Sequence, residues 1–98
     1  MQLYIISLKY KVSLARVEEV FSAHIAYTER LHAEGKVIIS GRREPRTGGV
    51  LVAANCTSEE IKEIVANDPY HINNIADFEI IDFIPTRLWD KRLNDFSV

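Results

Sequence analysis

The sequence predicts an α+β domain whose elements follow the order β-α-β-β-α-β. The first observation is a long segment, 13–34, in which apolar residues recur at helical spacing. The second is a turn rich in proline and glycine that joins two short apolar segments into a hairpin. The third is a shorter helix that opens with a capping box. Apolar strands at both ends complete the pattern.

The first two elements are a strand and the long helix. Gln2–Lys9 forms the predicted strand, and both of its faces are largely apolar, which is typical of a central strand. Ser13 can cap the N-terminus of the helix, and Gly35 can end it in the left-handed conformation. The apolar stripe of the helix consists of Val17, Val20, Phe21, Tyr27 and Leu31.

A hairpin and the second helix follow. Val37–Ser40 begins the second strand, which continues to about Arg42, and Gly49–Asn55 forms the third. Thr57 and Glu60 supply the capping box of the helix Ser58–Asn67. The predicted core-facing residues of this helix are Ile61, Ile64 and Val65.

The last part of the domain is a turn and a strand. Asp68-Pro69 ends the second helix, and His71–Ala76 is predicted as a short turn or helical segment. The fourth strand is Asp77–Ile84, and Pro85 ends it. Its side chains alternate between two apolar faces, with Phe78, Ile80 and Ile84 on one and Ile81 and Phe83 on the other.

This order is typical of the ferredoxin-like, or split βαβ, arrangement. Right-handed crossovers place both helices on one face of a four-stranded antiparallel sheet. Because the first and fourth strands are apolar on both faces, the uncovered face predicts a homodimer in which two sheets pack together. We assign residues 1–85 to this domain and 86–98 to a C-terminal tail.

The tail carries apolar residues at Trp89, Leu93 and Phe96, a spacing that predicts a short amphipathic helix. Such a helix packs either on its own domain or on the dimer mate, or it binds another protein.

Composition narrows the class of protein. The chain has 98 residues, 47% of them apolar and 27% charged, which suits one globular domain. A formal net charge of −2 argues against attraction to nucleic acid or anionic membranes. The single cysteine, Cys56, excludes an intramolecular disulfide, and no secretion signal or membrane span is recognisable. We therefore expect a cytoplasmic protein.

His24 lies in the middle of the apolar stripe of the long helix, within roughly 60° of its other members on the helical wheel. A buried polar ring without a partner costs on the order of 1–3 kcal/mol. Histidine is also the side chain best suited to move protons near neutral pH. His24 is therefore either a hydrogen-bonded structural residue or the centre of a site.

Asp68 is the second candidate. An aspartate before proline can cap the turn that begins at Pro69. Alternatively, its carboxylate pairs with His24, because both helices lie on the same face of the sheet. A carboxylate bonded to one ring nitrogen fixes the tautomer and raises the basicity of the other nitrogen.

The hairpin adds a cluster of cations, Arg42, Arg43 and Arg46, around Gly48-Gly49. Arginines bind carboxylates or phosphates with two parallel hydrogen bonds, so a small anion could dock there. The alternative is an ordinary solvated hairpin tip, since the spacing of a phosphate-binding loop is absent.

Metal or thiol chemistry has less support. His32 and His71 are expected to be exposed, and no pair of histidines or cysteines shows metal-ligand spacing. Cys56 has no base beside it in the sequence. We expect neither a metal nor a cofactor.

Several short motifs together resemble the YciI-related (YCII) family, and the resemblance extends from the first strand through Asp77-Phe78-Glu79-Ile80. They are His24, Tyr27, Leu31, Gly35-Lys36, Ser40-Gly41, Pro45-Arg46-Thr47-Gly48-Gly49 and Asp68-Pro69-Tyr70. The resemblance implies a ferredoxin-like fold that dimerises into an α/β barrel, with His24 and Asp68 as an active-site pair. One position departs from the pattern, since Arg42 stands where the family usually has proline, at the expected rim of the pocket.

The sequence thus predicts a small cofactor-independent enzyme of the isomerase or lyase type. His24, oriented by Asp68, acts as general acid and base on a small aromatic or carboxylated substrate. The alternative is a dimeric module that binds a small ligand, or another protein, without catalysis. The predicted substrate-binding residues are Ser40, Gly41, Arg42, Arg46 and Tyr70.

Overall fold

The structure, a computed structural model, describes residues 2–96. It confirms the predicted ferredoxin-like α+β fold: a four-stranded antiparallel sheet with its strands in the order β2-β3-β1-β4. The elements in chain order are β1 (Leu3–Tyr10), α1 (Leu14–Ala33), β2 (Val37–Arg42), β3 (Gly48–Ala54), α2 (Ser58–Asn67), α3 (Pro69–Ile72) and β4 (Ala76–Phe83), followed by a 3₁₀ helix (Lys91–Phe96).

Helix α1 begins and ends where its capping residues predict. The Ser13 hydroxyl accepts the backbone N–H of Arg16 at the N-terminus. At the C-terminus Gly35 has a φ of 77°, and the N–H groups of Gly35 and Lys36 bond to the carbonyls of His32 and Leu31. This pair of bonds is a Schellman motif, which favours glycine because of the positive φ. The capping box of α2 is also present.

Each strand boundary differs from its predicted position by one residue at most, and these differences follow from the local backbone conformation and strand pairing. Strand β3 ends at Ala54 because Asn55 adopts a φ of 57° and leaves the extended conformation. Strands β1 and β4 are both shifted by one residue, and the pair formed by Tyr10 and Ala76 closes their ladder.

The two faces of the sheet differ in burial. The helix-covered face carries Tyr4, Ile6 and Leu8 of β1, all buried against α1 and α2 together with Leu51 of β3. The open face carries large apolar residues of three strands that remain accessible: Ile39 of β2, Ile81 and Phe83 of β4, and the half-buried Ile5 of β1. The predicted uncovered apolar face is therefore present.

One member of the predicted apolar stripe of α1 does not reach the core. Phe21 is 40% exposed, whereas Thr28 is buried with Val17, Val20, Tyr27 and Leu31. The stripe is rotated toward Thr28, whose hydroxyl donates to the carbonyl of His24 and is thereby satisfied. Phe21 faces the cavity described below.

The tail contains a 3₁₀ helix, Lys91–Phe96, and Trp89 lies before it with 87% of its surface exposed. The orientation of the Phe96 side chain lies outside what the structure describes. Packing of the tail on a dimer mate stays a prediction. Within residues 2–96, no helix is long and apolar enough to cross a membrane.

Candidate active site

His24 and Asp68 form a buried hydrogen-bonded pair. His24 lies in the middle of α1 and is 9% exposed, and Asp68 lies at the junction of α2 and α3 and is 1% exposed. Their Nδ1 and Oδ1 atoms are 2.9 Å apart. Because an ionised carboxylate can only accept, the tautomer that suits this bond carries its proton on Nδ1 and leaves Nε2 free to accept one.

Asp68 also caps α3. The same Oδ1 that bonds to His24 accepts the backbone N–H of Tyr70 at 2.8 Å, and Pro69 occupies the first position of the helix. One oxygen atom of Asp68 therefore serves both roles expected from the sequence, the cap of α3 and the partner of His24. The other oxygen, Oδ2, is buried without a hydrogen-bond partner among the described residues.

Tyr70 covers the histidine ring. The two rings stack with centroids 4.0 Å apart and planes inclined by 6°, and Tyr10 meets the other side of Tyr70 edge-on at 5.9 Å. Burial, followed by the proximity of Tyr10, raises the pKa of the Tyr70 hydroxyl well above its ordinary value. The phenol is therefore neutral at physiological pH, and the stacking holds the imidazole in one plane.

Tyr27 fixes the distance between the two helices that carry the pair. Its hydroxyl, one turn beyond His24 on α1, donates to the backbone carbonyl of Ile64 on α2 at 2.7 Å. Burial is the main reason that the pKa of Tyr27 is raised to about 12, so the donor stays protonated at neutral pH. This bond anchors the last turn of α2, which leads directly to Asp68.

A cavity of about 360 Å³ opens beside the histidine, a volume within the range of ligand sites, roughly 300–1,000 Å³. Helix α1 forms one wall, strands β1 and β3 form the floor, and the edge strand β2 forms the opposite rim. The residues around it are Leu8, Tyr10, Phe21, His24, Ile25, Thr28, Ser40, Gly41, Arg42, Arg46, Gly48, Gly49, Val50, Leu51 and Tyr70.

The structure brings all five predicted substrate-binding residues to this cavity. Ser40, Gly41 and Arg42 come from β2, Arg46 from the hairpin and Tyr70 from α3. Asp68 lies behind His24 and does not line the cavity. Among the residues that the sequence analysis did not select, Thr28 has a recognisable signal, since it lies one helical turn after His24. Ile25 and Tyr10 have none, because nothing in their local pattern distinguishes a residue of a cavity wall from one of the core.

The three arginines of the hairpin have different environments. Arg46 forms a short ion pair with Glu18 of α1. Arg43 does not line the cavity, and its backbone N–H bonds to the carbonyl of Gly48. Arg42 lines the cavity and forms no ion pair with any side chain of residues 2–93. Of the three arginines, therefore, only Arg42 among the described residues is both at the cavity and without an acidic partner.

The remaining candidates lie outside the cavity. His32 is exposed and bonds through Nδ1 to the carbonyl of Val37, and His71 is exposed on α3. Burial raises the pKa of the Cys56 thiol, which donates to the carbonyl of Ala54. A raised pKa disfavours the thiolate, the form that acts as a nucleophile. The part of the chain that the structure describes contains no group of three metal-ligating side chains.

The motifs that suggested a family are tested by comparison with known proteins. The model of the YCII-related domain matches residues 1–84, most of the chain. The chain belongs to the YCII-related domain family. No curated protein sequence matches it.

Solved structures support the fold of this YCII-related chain. One match is 5-chloro-2-hydroxyhydroquinone dehydrochlorinase (TftG) from Burkholderia phenoliruptrix AC1100, in complex with 2,5-dihydroxybenzoquinone. The TM-score is 0.70 and the sequence identity 23%, over 81% of this chain and 90% of that one. At this identity the likeness shows a shared fold.

Proposed function

We propose that this YCII-related protein is a small-molecule enzyme in which His24 is the general acid and base and Asp68 orients it. The observation that carries the proposal is the pair itself: Nδ1 is held by a buried carboxylate while the ring borders a cavity. Nε2 has no partner among the described residues, which leaves it for a ligand.

The chemistry that suits this pair is proton abstraction followed by isomerisation or elimination. Nε2 takes a proton from an acidic C–H or O–H of the substrate, so the N–H bond forms as the substrate bond breaks, and the released electron pair forms a new π bond. In an isomerisation the imidazolium then returns the proton to a different substrate atom. In an elimination the leaving group departs with its own bonding pair, and the imidazolium gives up its proton to the leaving group or to water. The resulting imidazolium is stabilised by Asp68 and by the face of Tyr70, 4.0 Å away.

The neighbour of similar fold supports this class of reaction. Its name describes a dehydrochlorination, which is an elimination, and its bound compound is a planar ring. A planar ring suits a cavity with Phe21 and Ile25 in one wall and Leu8 and Leu51 in the floor. An aromatic substrate, as the sequence predicts, is consistent with the ligand of the neighbour and with the apolar lining of this cavity.

Proton exchange tests the proposal without knowledge of the natural substrate. Hydroxyquinones, phenols and enolisable ring ketones are incubated with the protein in D₂O, and loss of acidic C–H signals is followed by NMR. Chloride release from 5-chloro-2-hydroxyhydroquinone is measured in parallel. Protein-dependent exchange or release is the expected result. Binding of these compounds with neither reaction would favour the alternative, a ligand-binding module.

We further propose that the protein is a homodimer joined through the open face of the sheet. Ile81 is 49% exposed, Phe83 41% and Ile39 60% on this one face. Clustered apolar residues of this kind mark interaction surfaces. A second copy offers the same face, and a standard interface buries roughly 1,600 Å² in total.

Ile81→Glu is expected to convert this dimer into monomers, because it places a charge on the apolar face that the two copies would bury. Light scattering at micromolar concentration should give twice the chain mass of 11.2 kDa for the parent and a single mass for the variant. The matched control is Ile72→Glu, where the isoleucine is 63% exposed but belongs to α3 and not to a strand of the sheet. A parent protein that is monomeric would contradict the proposal.

A further inference from the structure

The groups that could bind an anion in the cavity, Arg42 and Ser40, lie together at its rim on β2. Arg42 pairs with Gly49 of β3, and Gly49 pairs with Leu8 of β1, so these three residues lie on the helix-covered face of the sheet. Ser40, two residues earlier on β2, pairs with Leu51 and lies on the same face. A guanidinium and a hydroxyl are therefore presented side by side toward the cavity.

The other positively charged side chain at the cavity is already paired: Arg46 forms an ion pair with Glu18. The Arg42 guanidinium has no acidic partner among the side chains of residues 2–93. Among the side chains that the structure describes, no acidic one lines the cavity. The surroundings thus provide one unbalanced positive charge, which matches a single negative charge on a ligand.

The catalytic candidate lies on the other side of this space. His24 belongs to the wall formed by α1, and Arg42 belongs to β2, the edge strand of the sheet. Gly49 contributes no side chain to the floor beside Arg42, and its Cβ position would lie 3.0 Å from the carbonyl of Gly41. Apolar groups, Leu8, Leu51, Phe21 and Ile25, occupy the space between the two polar ends.

We propose that the substrate is a planar ring monocarboxylate, whose carboxylate binds Arg42 and Ser40 while its acidic proton faces Nε2 of His24. This inference rests on the proposed function for the role of His24, whereas the carboxylate subsite rests on the positions of Arg42 and Ser40. The planar guanidinium binds a carboxylate through two parallel hydrogen bonds. A dianionic phosphate would bring a second negative charge for which the cavity has no free partner.

Calorimetric titration with benzoate and with its uncharged analogue benzamide tests the subsite. Benzoate is expected to bind the parent at least about tenfold more tightly than benzamide, because hydrogen bonds between charged groups are the stronger ones. Arg42→Gln is expected to weaken benzoate binding by about 10- to 100-fold and to leave benzamide binding unchanged. Arg43→Gln removes a neighbouring charge that does not line the cavity and should change either affinity by less than about twofold.

Three results would overturn the inference: equal losses in the two arginine variants, tighter binding of phenyl phosphate than of benzoate, or no benzoate binding at millimolar concentration. His24→Gln separates the subsite from the proposed reaction. If benzoate affinity survives in this variant while the parent catalyses no proton exchange, the carboxylate subsite stands and the enzymatic proposal fails. If exchange occurs but benzoate does not bind, the enzymatic proposal stands and the carboxylate subsite fails.

Discussion

His24→Gln is expected to lower the rate of any reaction that the protein catalyses by about 10²–10⁴-fold, the usual contribution of general acid–base catalysis. Glutamine keeps a polar side chain that can bond to Asp68, but it cannot accept and release a proton near neutral pH. The folded state should therefore persist while the proton-transfer step is lost. Deuterium exchange or chloride release measures the rate, and denaturant unfolding measures the stability.

His32→Gln is the matched control for this experiment. His32 lies two turns further along α1, is exposed, does not line the cavity and bonds through Nδ1 to the Val37 carbonyl at the start of β2. Its replacement should leave the rate unchanged. A His24→Gln protein that retains full activity and loses stability would show that the pair is structural.

The second large effect is expected at Asp68, where two substitutions separate its two roles. Asp68→Asn retains an oxygen that can accept from both Tyr70 and His24, so the cap and the geometry persist. The negative charge that stabilises the imidazolium is lost, and the rate should fall on the order of 10²-fold. Asp68→Ala removes the cap and leaves Nδ1 as a buried donor, which should lower the free energy of unfolding by about 2–4 kcal/mol.

Thr57→Ala provides the comparison for the loss of a cap alone. Thr57 caps α2 through the backbone N–H of Glu60, and it does not line the cavity. Its replacement should lower stability by about 0.5–2 kcal/mol and leave the rate unchanged. Equal rate losses for Thr57→Ala and Asp68→Asn would mean that activity follows stability, in contradiction to a specific role for Asp68.

The sequence predicts those parts of the molecule that depend on local chemistry. Ser13, Gly35 and the pair of Thr57 and Glu60 define helix ends because caps act within one turn. His24 stands out because a polar ring interrupts an apolar stripe. The proximity of Asp68 to His24 needs the packing of α1 against the junction of α2 and α3, which the fold permits and the Tyr27 bond to Ile64 helps to fix.

Other features of the site depend on tertiary structure that no local pattern contains. The division among the arginines follows from the position of Glu18, 28 residues before Arg46 in the chain, next to the hairpin. The stacking of Tyr70 on His24 depends on how α3 turns after Pro69. Phe21 has the helical spacing of a core residue, yet it faces the cavity. Apolar residues that line a pocket and apolar residues that pack in a core recur at the same spacing along a helix, so the sequence does not distinguish them.

The single oxygen that serves both His24 and Tyr70 restricts which residues evolution can place at position 68. The backbone there is extended, with φ −66° and ψ 128°, as the following proline requires. Serine, threonine or asparagine could still cap α3, but each would forfeit the charge beside the imidazole. Glutamate would keep the charge on a longer arm and displace the cap. Aspartate alone meets both demands, so loss of catalysis in a descendant of this protein would first relax selection on charge at this position and leave selection on the cap in place.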